Sequence, residues 1–236
     1  MKRSALAGIA MGVGLVACSP TSPSEEKQVG SRPVEAPLSL EIRLLKDATV
    51  TLNPGHCAGV IVADGHHALT AAHCIQGEPG ARQSVVMRDG TLLGGEVKVV
   101  DPARDLAVLR LDTRAPVHPL SMASASPTPG EVLRFAGRND RDIPAQEVEL
   151  RRLGRCPSLP EVPLALFTSL RGSPGDSGAP VVDDHLRVVG LVHGGAACSI
   201  AAPTADFSPL VDMLVAELAQ PDTGLGIGGS GTASPH

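Results

Sequence analysis

The chain of 236 residues contains no tryptophan, no tyrosine and only three phenylalanines. Any core it forms is therefore aliphatic, drawn from its plentiful valine and leucine. Long apolar stretches of helical period are scarce, while 26 glycines and 21 prolines punctuate the chain. That combination leaves little room for a helical architecture and favours many short strands joined by turns. There is no basic surplus: 20 Lys and Arg stand against 25 Asp and Glu, a net charge of −5. This balance favours solubility and calls for no nucleic-acid partner. No calcium-loop spacing accompanies the acidic residues. No zinc-type ligand spacing recurs among His56, His66, His67, His73 and the cysteines, so no metal and no cofactor are expected.

What is present begins with an export pattern. Met1-Lys2-Arg3 precedes an apolar and small-residue run from Ala5 to Val16, which reaches Leu15-Val16-Ala17-Cys18 before Ser and Pro take over. The run reads as a signal peptide over residues 1–17 and is short for a membrane span. The small residues before Cys18 resemble the lipobox of bacterial lipoproteins, which implies cleavage before Cys18 and lipid on that residue. The other reading is an ordinary signal peptide with an incidental cysteine. Lipidation would place the protein at a bacterial cell envelope with a membrane as partner, and Ser19 after the cysteine favours the outer membrane over the inner. Residues 18–37, rich in Ser, Pro and Glu, read as a flexible tether. Residues 221–236 read as a disordered tail, since Gly224, Gly226 and Gly228 follow a helical segment and do not link a strand to one.

Between these ends, residues 38–220 have room for one sizeable domain or two closely packed halves. Strand character marks a first half at Ala48–Leu52, Ala58–Ala63, His67–Thr70, Ser84–Arg88, Thr91–Val100 and Leu106–Leu111. After a Pro-rich connector, a second half follows at Glu131–Ala136, Gln146–Leu153, Leu164–Ser169, Ala179–Val182, Leu186–His193 and near Ala205–Phe207. One amphipathic helix is expected, Ser208–Ala219, where Leu210, Val211, Leu214, Val215 and Leu218 share a face. Strand count alone does not separate barrels from a sandwich.

Three local motifs carry chemistry. Thr70-Ala71-Ala72-His73-Cys74 presents an imidazole, Asp105 opens the alternating run Leu106–Leu111, and Gly172-Ser173-Pro174-Gly175-Asp176-Ser177-Gly178-Ala179-Pro180 presents a serine inside a Gly-Asp-Ser-Gly turn. A serine hydroxyl is a poor nucleophile at neutral pH. Amide or ester cleavage needs an imidazole to take its proton and a buried carboxylate to orient that imidazole. Ser177, His73 and Asp105 fit those roles, and Gly175 allows a tight turn in which the N–H groups of Gly175 and Ser177 can face an oxyanion. Taken singly, each motif is equally a core histidine, a strand-start acid or a turn.

Together, in this order, they resemble the trypsin/chymotrypsin-like serine peptidases over roughly Leu38 to Gln220. The resemblance implies an all-β fold of two packed six-stranded antiparallel barrels with a C-terminal helix, and a cleft between them holding the triad. It implies a serine endopeptidase acting on polypeptides through an acyl-enzyme, expected as a monomer. A non-catalytic binding module on the same fold, or an esterase using the same triad, are the alternatives. It also implies the disulfide Cys57–Cys74. Cys156 and Cys198 are left to pair, a departure from the family, whose cysteine near Cys198 usually bridges to a position held here by Ser173.

Substrate contacts implied by the resemblance fall on Arg171, His193, Gly194 and Gly195. Arg171, six residues before the serine, disfavours basic side chains and with His193 would suit acidic ones, unless it simply points to solvent. His193 also stands about where the family often has a serine supporting the catalytic Asp. No Ile-Val-Gly-Gly type start is present to supply an amino group for Asp176, which leaves Arg138 as the expected cation beside it.

Overall fold

Alternating apolar residues demand a sheet face on each side of a strand, and here both sides find cover. A computed structural model describes residues 39–138, 144–193 and 200–203. Its first half comprises β1 (Thr49–Asn53), β2 (Ala58–Val62), β3 (His67–Thr70), β4 (Arg82–Val86), β5 (Leu92–Asp101) and β6 (Leu106–Leu111). They form a closed antiparallel barrel in the order β1-β2-β3-β6-β5-β4, sealed where Thr51 of β1 lies opposite Val86 of β4. The second half comprises β7 (Val132–Phe135), β8 (Gln146–Gly154), β9 (Ala165–Thr168), β10 (Pro180–Val182), β11 (Val188–Val192) and β12 (Ile200–Pro203). It closes in the order β10-β11-β12-β9-β8-β7, with Val181 of β10 opposite Phe135 of β7. The two halves thus repeat one strand order.

The cores explain the burial. Val50, Ile61, Ala68, Val85, Leu109 and Leu111 fill the first barrel, and Leu133, Phe135, Val148, Leu150, Leu166 and Val181 fill the second. A third cluster joins Val60, Val62, Leu69 and Val108 to Ala136, Val182, Val188 and Leu191. In β2, Ile61 looks into its own barrel while Val60 and Val62 look toward the other. This is why all five residues of β2, and all five of β11, are buried. Aliphatic side chains make up most of this packing, and among the described residues Phe135 is the one aromatic of the largest fully buried side chains.

A nine-residue helix, α1 (Leu40–Ala48), precedes β1, where no helix is expected from the sequence. Ser39 caps it by accepting from the Ile42 N–H at 3.3 Å. Its apolar face is shallow, with only Leu45 and Ala48 fully buried, so the periodic signal is weak. β12 lies at Ile200–Pro203, a segment with no strand expected from the sequence. Ala205–Phe207 and the expected helix Ser208–Ala219 lie outside the described residues.

Candidate active site

His73 is placed by the end of β3. After Thr70 the chain makes one 3-10 turn, Ala72–Cys74, closed by the Cys74 N–H donating to the Ala71 carbonyl at 3.1 Å. The Cys57–Cys74 disulfide, with Cα atoms 5.9 Å apart, ties that turn to the chain entering β2. Asp105 stands immediately before β6 with φ +53°. A left-handed conformation is costly for a residue with a side chain, though aspartate tolerates it better than most. Its N–H donates to the Pro102 carbonyl at 3.3 Å, and the resulting turn aims the carboxylate at the 3-10 turn.

Asp105 is 7 % exposed and heavily engaged. Oδ1 accepts from the His73 backbone N–H at 3.0 Å, and His73 Nδ1 lies 2.9 Å from both carboxylate oxygens. A second imidazole reaches it as well: His193 Nδ1 bonds Oδ2, and His193 Nε2 lies 3.1 Å from Ser158 Oγ. Burial disfavours the ionised carboxylate, yet the hydrogen bonds from His193 and His73 outweigh it and hold the pKa at about 2. His73 is pushed above its ordinary value, first by its hydrogen bond to Asp105 and against the opposing effect of burial. An ionised carboxylate only accepts, so Nδ1 of His73 carries the proton and Nε2 of the neutral ring keeps its lone pair.

Ser177 comes from the second barrel but is fastened to the first. Its carbonyl accepts from the Ala58 N–H of β2 at 2.8 Å, and Cys74 Sγ lies 3.8 Å from the same oxygen. Gly178 must be glycine: φ is +82°, and a Cβ there would collide with the Ala58 carbonyl oxygen and Thr70 Oγ1. Gly175, at φ +97°, turns the chain ahead of the serine. Among the described residues neither the Gly175 nor the Ser177 N–H donates to a protein acceptor, and the Ser177 hydroxyl makes no hydrogen bond. Asp176 points inward, 4 % exposed, where Oδ1 accepts from the Arg138 N–H at 3.2 Å and Oδ2 from the Ser173 N–H at 2.7 Å. The expected Arg138 partnership is therefore made by its amide. Its guanidinium donates to the His56 carbonyl at 2.8 Å instead, packed against Gly175.

Two barrels of one strand order, with a histidine and an acid from the first and a serine turn from the second, find their counterpart in known proteins. Residues 57–191 match the model of the trypsin-like peptidase domain. The chain belongs to the trypsin-like peptidase family. No curated protein matches it. Among solved structures, an inactive form of the Rv3671c protease matches with a TM-score of 0.59 and 18 % identity, covering 77 % of this chain and 93 % of that one. The active form of that protease, from M. tuberculosis, matches with a TM-score of 0.58 and 18 % identity, covering 73 % of this chain and 83 % of that chain. The HtrA-type protease AlgW, solved with a decapeptide, matches with a TM-score of 0.61 and 19 % identity, over 75 % of this chain and 66 % of that one. At these identities the likeness is one of fold.

Within this trypsin-like domain the structure brings His73, Asp105 and His193 into one cluster, beside a cavity of about 400 Å³ lined by those three residues, Ala72 and Pro102. His193, expected among substrate contacts, spends both ring nitrogens on Asp105 and Ser158. Arg171 is exposed. Cys156 is disulfide-bonded. Cys18, Gly194, Gly195 and Cys198 lie outside the described residues. Sequence reading missed Ser158, since a lone serine among surface residues gives no signal until the fold sets it against His193.

Proposed function

We propose that this trypsin-like peptidase is a serine endopeptidase that cleaves polypeptides through an acyl-enzyme. The observation that carries the reading is the buried Asp105 carboxylate 2.9 Å from Nδ1 of His73, which leaves Nε2 as the proton acceptor. His73 takes the Ser177 proton as Oγ attacks the scissile carbonyl, and Asp105 stabilises the imidazolium. The oxyanion is received by the N–H groups of Gly175 and Ser177, which no protein acceptor claims among the described residues. One such donor is worth about 3 kcal/mol in related chemistry. The imidazolium then returns its proton to the leaving amine, and water activated by the same ring releases the acyl group. Catalytic hydrogen bonds tighten when substrate binds, so the open Ser177–His73 pair is compatible with this scheme.

The same open pair is the one observation favouring the rival reading, a binding module that keeps the residues without their chemistry. Intact-mass analysis after exposure to a fluorophosphonate separates the two. The expected result is a single adduct on the wild type and none on Ser177→Ala. A folded, disulfide-intact wild type that takes up no adduct would overturn the peptidase reading. The hydrogen bonds that both carboxylate oxygens of Asp176 accept from backbone amides support direct folding into the working form, without a newly cut amino terminus. We further propose that lipid on Cys18 anchors the peptidase at a bacterial cell envelope, with the tether of residues 18–37 holding the domain off the membrane.

A further inference from the structure

We propose that His73, Asp105 and His193 form a transition-metal site suited to Zn²⁺, and that occupation of it switches Ser177 off. The second half of this inference rests on the peptidase reading above; the first does not. One ligand atom from each of the three residues lies within 4.8 Å of the others. Two imidazole nitrogens and one carboxylate oxygen make a donor set that zinc accepts readily, leaving a fourth position for water. Magnesium and calcium, which prefer oxygen ligands, are poorly served by it.

Access and support are also present. The three side chains line one cavity of about 400 Å³, so an ion has an approach. Zinc holds its ligands at about 2.0 to 2.2 Å, which sets neighbouring donors slightly farther apart than hydrogen-bonded atoms. The rings must therefore move outward a little, and the His73 side chain, 44 % exposed, has the freedom to do so. Ser158 Oγ, 3.1 Å from His193 Nε2, is placed to accept from that nitrogen and to hold the ring while Nδ1 binds metal. The His73 backbone N–H remains on Asp105 Oδ1, steadying the carboxylate.

Inhibition follows from proton bookkeeping on the imidazole. A neutral ring has one proton and one lone pair. Metal on Nδ1 takes the lone pair there, so the proton moves to Nε2, with no net gain or loss by the ring. His73 then faces Ser177 with an N–H where it needs an acceptor, and the serine keeps its proton. The ligands are separated by 32 and 88 residues along the chain, which is why no spacing motif announces the site.

The test uses the full-length chain carrying Ser177→Ala, which cannot react but retains all three ligands. Calorimetric titration with ZnCl₂ in chelator-free buffer is expected to show one ion per chain, with no comparable binding of MgCl₂. His193→Ser in this background should weaken zinc binding at least tenfold, whereas His118→Ala, at an exposed histidine outside the cluster, should not. If His193→Ser proves unfolded by circular dichroism, His73→Ala replaces it with the same expectation. Absence of one-to-one binding, or unchanged affinity in the folded ligand variant, overturns the metal site. In the wild type, zinc should slow fluorophosphonate labelling at least tenfold and EDTA should restore it. A chain that binds zinc at these residues yet labels at an unchanged rate overturns the switch. A wild type that never labels overturns the peptidase reading, while the calorimetry still decides the metal site.

Discussion

Asp105 accepts hydrogen bonds from two imidazoles and a backbone amide while sitting almost wholly out of water. Such a carboxylate stays ionised because its donors replace the water it has lost. Asparagine at this position would present an NH₂ group to one of the two rings and favour the wrong tautomer on His73. Asp105→Asn is therefore expected to slow fluorophosphonate labelling of Ser177 by about 10⁴-fold, as for the equivalent change in well-studied triads, with the fold retained by circular dichroism. Gly178 makes a different demand, one of space. Thr70 Oγ1 donates to the Ala58 carbonyl at 2.7 Å, and both atoms lie where a methyl group on Gly178 would go. Gly178→Ala should lower stability by at least about 2 kcal/mol, read from urea unfolding monitored by far-UV circular dichroism. Both residues were legible in the sequence as parts of motifs. For His193 the sequence leaves two readings, a substrate contact or a support for Asp105, because its partner is 88 residues away and nothing local distinguishes an imidazole facing a pocket from one facing a carboxylate.

Among elements, the 3-10 turn Ala72–Cys74 has little to hold it by itself, since a turn this short closes few hydrogen bonds. The Cys57–Cys74 bridge supplies what the turn lacks, and closes a loop across a separation of 17 residues. Replacing both cysteines by serine is expected to destabilise the domain by about 3 kcal/mol, measured by urea denaturation, and to slow labelling because His73 rides on the released turn. The Asp176 turn is organised on the opposite plan: its acid is held entirely by amides, from Ser173 within the turn and from Arg138 after β7. Sequence reading named Arg138 correctly as a neighbour and assigned the contact to its guanidinium. An amide N–H cannot be read from a side-chain pattern, since every residue except proline has one. Most strands were legible for the converse reason. His67–Thr70 and Leu106–Leu111 coincide with their expected bounds because their apolar runs stop where the chain turns. The helix Leu40–Ala48 escaped notice because charged residues separate its few buried side chains.

Across the whole molecule, the two barrels contribute different parts of the candidate site: the first carries His73 and Asp105, the second the turn that holds Ser177. The cluster joining Val60, Leu69 and Val108 to Val182, Val188 and Leu191 keeps them in register without any aromatic residue of its own among the fully buried ones. The proposed signal peptide, lipidated Cys18 and tether rest on the sequence pattern alone. Cys18→Ser is expected to move the mature protein from the membrane pellet to the soluble fraction of a bacterial host, read by fractionation and by loss of the lipid mass on the N-terminal peptide.

By itself the sequence determined the largely aliphatic core and the strand-rich architecture and singled out His73, Asp105 and Ser177 as candidates, because composition, period and turn chemistry are local properties that a short window contains. Only the tertiary structure decided that Asp105 serves two imidazoles, that the Arg138 amide and not its guanidinium meets Asp176, and that Ser158 holds His193. Hydrogen bonds reach about 3 Å, and which groups come within that reach across tens of residues depends on how closed barrels pack, a property no local window holds.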